Sequence, residues 1–134
     1  MTGPGPLESQ IPAVSAADLR AMLEANPKGL FLLDTRDRAA FEKGRLPGSL
    51  HCPVHELSRR ERDLPSRGAT VVVVGEAGKR GAAGAVFLVL AGYGSVLLLR
   101  GGFPAWEGPV ETGPTSAPPP RAGPPAHGPA SGRE

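Results

Sequence analysis

Thiols are scarce in this chain: among 134 residues there is one cysteine, Cys52. A single thiol excludes an intrachain disulfide and a cysteine-based metal site. The three histidines, His51, His55 and His127, are too scattered to complete one. Aromatics are 4% of the residues and the formal charge is only +2, which argues against base stacking and against a nucleic-acid footprint. The opening MTGPGPLESQ has neither a basic start nor an apolar stretch, so no signal peptide is expected. The longest apolar passage, Ala82 to Ala91, is too short for a membrane span and is broken by Gly84. A cytoplasmic setting is the simplest fit to these absences.

Large apolar residues are missing altogether from Thr112 onward, where Pro, Gly, Ala and Ser dominate. Such a segment cannot bury enough surface to offset its ordering entropy. Residues 112–134 are therefore expected to be a disordered tail, with Pro118, Pro119 and Pro120 as a possible partner segment. Residues 1–10, with Gly3, Pro4, Gly5 and Pro6, are expected to be a loose start, which leaves 11–111 as one domain.

Within that domain apolar strands alternate with helical patterns. Ser15 caps a helix over Ala16 to Glu24, with Leu19, Met22 and Leu23 as its inward stripe and Pro27 and Gly29 as its stop. Leu30 to Asp34 is a continuous apolar run, as expected of a strand covered on both faces. A short helix, Arg38 to Lys43, ends at Gly44, and a Leu46-Pro47-Gly48 turn leads to a strand over Ser49 to Cys52. Val54 to Asp63 reads as a charged helix, with Arg59, Arg60, Glu61 and Arg62 on a solvated face. Thr70 to Val74 is the most β-branched run and predicts a central strand. Arg80 to Ala91 predicts a helix with Ala83, Val86, Phe87, Leu90 and Ala91 inward, and Ser95 to Leu99 a last strand. Strands joined by helical crossovers imply a doubly wound α/β domain around a parallel sheet of about five strands. Its ligand site lies beyond the strand carboxyl ends.

The junction after Val74 stands in that position. It runs Gly75, Glu76, Ala77, Gly78, Lys79, Arg80, Gly81, a glycine-rich loop entering a helix, where backbone N–H groups converge on an anion. No cysteine, serine, threonine, aspartate or histidine is present there to act as a nucleophile.

Three stretches in order, LLDTRDRAAFEKGRLPGSLHCP at 32–53, VVVVGEAGKRGAAGA at 71–85 and GYGSVLLLRGGFPAWEG at 92–108, resemble the rhodanese-like sulfurtransferase domains, a family related to the dual-specificity cell-cycle phosphatases. The resemblance spans about residues 11–110 and includes the closing Gly101 to Trp106 signature. It implies a loop in which a cysteine is followed by four residues and an arginine; Gly78 and Arg80 match, and Gly75 stands at the cysteine position. The family's thiolate takes up a sulfane sulfur as a persulfide, which a glycine cannot do. What remains is a cradle for a small anion or a partner's acidic group, with Lys79 and Arg80 adding charge. Glycine at 75 is explained either by relaxation, through a positive φ or a close backbone approach, or by a selected anion or partner pocket.

Asp34 and Arg36 match the family's D-x-R and border the pocket, Asp34 bracing the next segment and Arg36 pairing on the surface. Arg45 stands where a histidine is common and adds charge at little cost, and Trp106 packs the last helix on the core. Cys52 falls on an edge strand, where a buried thiol behaves as a small hydrophobe. The resulting expectation is a non-catalytic anion- or partner-binding module, with no catalytic residue, metal or cofactor. Two alternatives stay open: a thiosulfate-type sulfurtransferase using Cys52 or a partner thiol, and a scaffold acting through its proline-rich tail.

Overall fold

The computed structural model describes residues 11–26, 28–77 and 82–114. Expectations for residues 1–10, Pro27, Gly78 to Gly81 and residues 115–134 lie outside the described residues. Strands β1 (Ala13–Val14), β2 (Phe31–Asp34), β3 (Leu50–His51), β4 (Thr70–Val74) and β5 (Ser95–Leu99) alternate with helices α1 (Ala16–Ala25), α2 (Arg38–Lys43) and α3 (Ala83–Leu90). They form one parallel sheet in the order β1-β5-β4-β2-β3. This is the expected α/β architecture. Its first strand, only two residues long, is too short to leave a readable period.

Side-chain alternation splits the core into two layers. Phe31, Leu33, Val71, Val73 and Val96 face Ala85 and Leu88 of α3, together with Leu57 and Leu64. Leu30, Leu32, Val72, Val74 and Leu99 face Leu19 of α1, Leu46 and Trp106. Coverage on both faces explains the unbroken apolar runs of β2 and β4. Ser15 caps α1 by accepting the Asp18 N–H at 3.0 Å, and Asp37 caps α2 by accepting the Ala40 N–H at 2.8 Å.

Several local expectations are corrected. Val54 to Asp63 is not one helix but two single 3₁₀ turns, Val54–Glu56 and Glu61–Asp63. A short charged segment cannot sustain a helix without an apolar stripe. The buried Leu57 and Leu64 each directly follow one of these turns, which Arg60 ties together through Glu56 at 3.3 Å and Asp63 at 2.9 Å. In α3 the buried face is Gly84, Ala85 and Leu88, whereas Leu90, expected inward, is 75% exposed. That helix carries no charge, so periodicity cannot say which face turns in. Its rotation is set by Gly84, where an added Cβ would lie 2.7 Å from Thr35 Cγ2.

The strand expected over Ser49 to Cys52 is trimmed to Leu50–His51. At the other end, the chain stays docked past the expected boundary at Thr112. Arg45 and Glu111 exchange backbone hydrogen bonds at 2.9 and 3.0 Å, and the Gly113 N–H donates to the Glu42 carbonyl at 2.8 Å. Arg45, far from a costless surface charge, is buried; its guanidinium donates to the carbonyls of Phe41 at 3.2 Å and Gly113 at 2.7 Å and lies over the Phe41 ring.

Candidate functional site

The chain steps from β2 outward to β3 but returns to place β4 on β2's other side. Strand direction of travel therefore reverses between β2 and β4, and a crevice at such a reversal is where α/β sheets bind ligands. Thr35 to Asp37 leave β2 there, and Gly75 to Ala77 leave β4. The Thr35 N–H donates to the Val74 carbonyl at 3.0 Å, which holds the two strand ends together beyond the ladder.

A cavity of about 310 Å³ opens at this point. Thr35, Arg36 and Asp37 line it from the β2 end, Pro53, Val54 and His55 from beyond β3, and Glu76 and Ala83 from the loop after β4 and the start of α3. A larger hollow of about 530 Å³ lies at the opposite end of the sheet, against Thr70, Tyr93 and Ser95. We assign function to the smaller one, because its wall gathers the charged and hydrogen-bonding groups and stands at the strand carboxyl ends.

Arg36 is fixed before any ligand arrives. Its Nε donates to Asp34 Oδ1 at 3.0 Å, its Nη2 donates to Asp34 Oδ2 at 2.7 Å and to the Gly44 carbonyl at 2.6 Å, and its guanidinium lies 4.1 Å from the Phe103 ring centre. Asp34 also accepts the Arg36 backbone N–H at 3.0 Å, so it braces the turn as expected. Pairing on the surface is not what happens: Asp34 is fully buried and Arg36 is 5% exposed. Two opposite charges taken out of water hold each other only when their remaining hydrogen bonds are filled, and the Gly44 carbonyl and the Phe103 face help to fill that need.

The loop is buttressed from behind. The Gly75 carbonyl accepts the Phe103 N–H at 3.0 Å. Gly102, at φ 70°, brings its backbone so near that an added Cβ would lie 2.6 Å from the Gly75 oxygen. Here it is Gly102, not Gly75, that must lack a side chain, and Gly75 is not among the glycines with positive φ. Its backbone conformation is thus open to a residue with a side chain. Glu76 has no ion-pair or hydrogen-bond partner among the described residues. Gly78, Lys79, Arg80 and Gly81 lie outside them.

Cys52 is separated from this cavity. It follows edge strand β3, donates its N–H to the Asp34 carbonyl at 2.9 Å, and is fully buried in the core layer beneath α3. Burial pushes its thiol up from an ordinary 9.0 to about 11, against the opposing pull of the Arg60 charge. Such a thiol is mostly protonated at neutral pH and a poor nucleophile.

The geometry therefore brings Arg36, Glu76 and the Gly75 turn to one crevice, backs Arg36 with Asp34, and leaves Cys52 out. Thr35, Asp37 and His55 also reach the cavity and were not singled out from sequence. Thr35 and Asp37 carried a usable signal, since both flank the matched Arg36 immediately after an apolar strand; His55 sits in a segment misread as helix. Among the described residues no group of three metal-ligating side chains occurs, and no helix is long and apolar enough to cross a membrane.

Known proteins place this arrangement. A sulfurtransferase of Allochromatium vinosum is 34% identical over 82 residues, spanning 61% of this chain and 76% of the relative. The thiosulfate sulfurtransferase GlpE of Pseudomonas syringae is 35% identical over 82 residues, spanning 60% of this chain and 74% of the relative. The solution structure of the rhodanese-like domain of the Anabaena Alr3790 protein superposes with a TM-score of 0.65 at 30% identity, over 79% of this chain and 86% of that one. The rhodanese-like domain model matches residues 15–109, which together with the shared fold and sulfurtransferase relatives makes this chain a member of the rhodanese-like domain family.

Proposed function

We propose that this chain is a non-catalytic rhodanese-like module that binds a small anion or a partner's acidic group at the loop 75–81. One observation carries the reading: Gly75 occupies the turn after β4 where the resemblance calls for the persulfide-carrying cysteine. The lone thiol, Cys52, supports it from the other side, since it is buried in the core and raised to about 11. The backbone frame around the loop also favours retained binding, because the Phe103 N–H and the Gly102 contact hold the Gly75 carbonyl in place. The cytoplasm is the proposed setting, and residues 115–134 are a second partner-binding candidate through their prolines.

Thiocyanate production from thiosulfate and cyanide tests it: background rates are expected. Robust turnover that disappears in Cys52→Ser would replace this reading by the sulfurtransferase alternative. The complementary variant is Gly75→Cys. Its thiolate would attack the outer sulfur of thiosulfate, the sulfur–sulfur bond of thiosulfate would break with departure of sulfite, and the protein would gain the mass of one sulfur atom. No sulfur uptake by a folded Gly75→Cys variant would refute an intact cradle.

A further inference from the structure

The described wall of the cavity is not that of a simple anion site. Glu76 lines it with no partner among the described residues, and Asp37 lines it with one carboxylate oxygen engaged at the Ala40 N–H. The positive charge on the same wall, Arg36, is already matched by Asp34 at 2.7 Å. The second, independent sign is Thr35. This residue is only 7% exposed and lines the cavity, yet its hydroxyl has no hydrogen-bond partner among the described residues, whereas its methyl packs on Gly84. A buried hydroxyl left without a partner costs about 1–3 kcal/mol, and a ligand group in the cavity would supply one.

From these two features we infer that the cavity takes a small ligand bearing an ammonium group, seated against Glu76 and Asp37 and donating a hydrogen bond to the Thr35 hydroxyl oxygen. This rests on the reading of the strand ends as a binding site and refines it: a ligand that also carries the acidic group of the proposed function would be a zwitterion. The volume of about 310 Å³ suits a small molecule. The neutral wall of Pro53, Val54 and Ala83 leaves the carboxylates to set selectivity. His55, on the same wall, is mostly exposed and lies 3.7 Å from the Glu56 carboxylate.

Three probes of matched size separate the halves: taurine carries both charges, ethanesulfonate only the anion, and ethylammonium only the cation. They are titrated into the full 134-residue chain and followed by amide chemical shifts of Thr35, Glu76 and Ala83. Taurine is expected to bind more tightly than ethanesulfonate. Glu76→Gln and the isosteric Thr35→Val are each expected to weaken taurine by roughly tenfold, the loss of one charge-assisted hydrogen bond. Glu76→Gln should not weaken ethanesulfonate. Ethanesulfonate binding as well as taurine, with Glu76→Gln neutral or favourable, overturns the ammonium site and leaves the anion loop standing. Ethylammonium binding without ethanesulfonate binding does the reverse. If none of the three binds, both readings fail.

Discussion

The Asp34–Arg36 pair offers the sharpest test of what holds the site in shape. In Arg36→Met the side chain keeps its length and its contact with Phe103, but four hydrogen bonds disappear: three to Asp34 and one to the Gly44 carbonyl. Asp34 is 0% exposed, so its carboxylate is left buried with only the residue-36 backbone N–H at 3.0 Å. Breaking a buried pair from one side costs about 3–5 kcal/mol. For an ordered unit of this size that corresponds to a fall in Tm of about 15–25 °C. Urea unfolding followed by circular dichroism measures it, with the m-value showing whether the transition stays two-state. The double variant Asp34→Asn, Arg36→Met removes both charges and should recover part of the loss, because no ion is then stranded. A loss below about 1 kcal/mol in the single variant, the range of exposed pairs, would refute the burial on which the reasoning rests.

Gly102→Ala should cost about 2–4 kcal/mol, since a Cβ at φ 70° meets the Gly75 carbonyl at 2.6 Å. The control Gly68→Ala, with nothing within 4 Å, should stabilise by about 0.5 kcal/mol through the unfolded chain; equal effects at the two positions would contradict the buttress. Arg45→Met should lose about 1–3 kcal/mol and speed hydrogen exchange at the Gly113 amide, whereas unchanged protection there would mean that Arg45 does not clamp the returning segment. For Cys52, the folded thiol is raised from 9.0 to about 11, so between these values the unfolded chain has lost the proton and the folded one keeps it. Stability from this group is full below pH 9 and falls as pH rises towards 11. Cys52→Ala should flatten that part of the stability profile relative to wild type, and identical slopes would show that the thiol is not buried.

Parts of this molecule were legible wherever one physical cause dominated. Leu30 to Asp34 and Thr70 to Val74 announced themselves as strands because coverage on both faces demands apolar side chains at every position. Ser15 and Gly44 marked helix ends through local chemistry alone. Where the cause is tertiary, the sequence was silent. The inward face of α3 depends on Gly84 meeting Thr35, two residues 49 positions apart in the chain that nothing local connects. Arg36 and Arg45 looked like surface charges because the contacts that bury them, to the Gly44 and Gly113 carbonyls and the Phe103 and Phe41 rings, carry no sequence signature. The charged segment 54–63 misled for the opposite reason: its composition suits a helix, but the need to bury Leu57 and Leu64 on separate turns prevailed.

On the proposed reading, the same distinction accounts for a cradle that stands without its nucleophile. The fixed points around residue 75 are backbone atoms: its carbonyl accepts the Phe103 N–H, Gly102 packs against it, and the Val74 carbonyl takes the Thr35 N–H. No side chain at 75 takes part, so on that reading a glycine in place of a thiol would leave the frame unchanged. The lining behaves differently. At Thr35 a valine would fill nearly the same volume beside Gly84 without a buried hydroxyl to satisfy, and at Glu76 no interaction with the described residues offsets the desolvation of a half-buried carboxylate. Packing alone thus gives no reason for polarity at either position. A ligand that hydrogen-bonds to both, as proposed above, would, and on that proposal the selectivity of the site rests on the walls of the cavity.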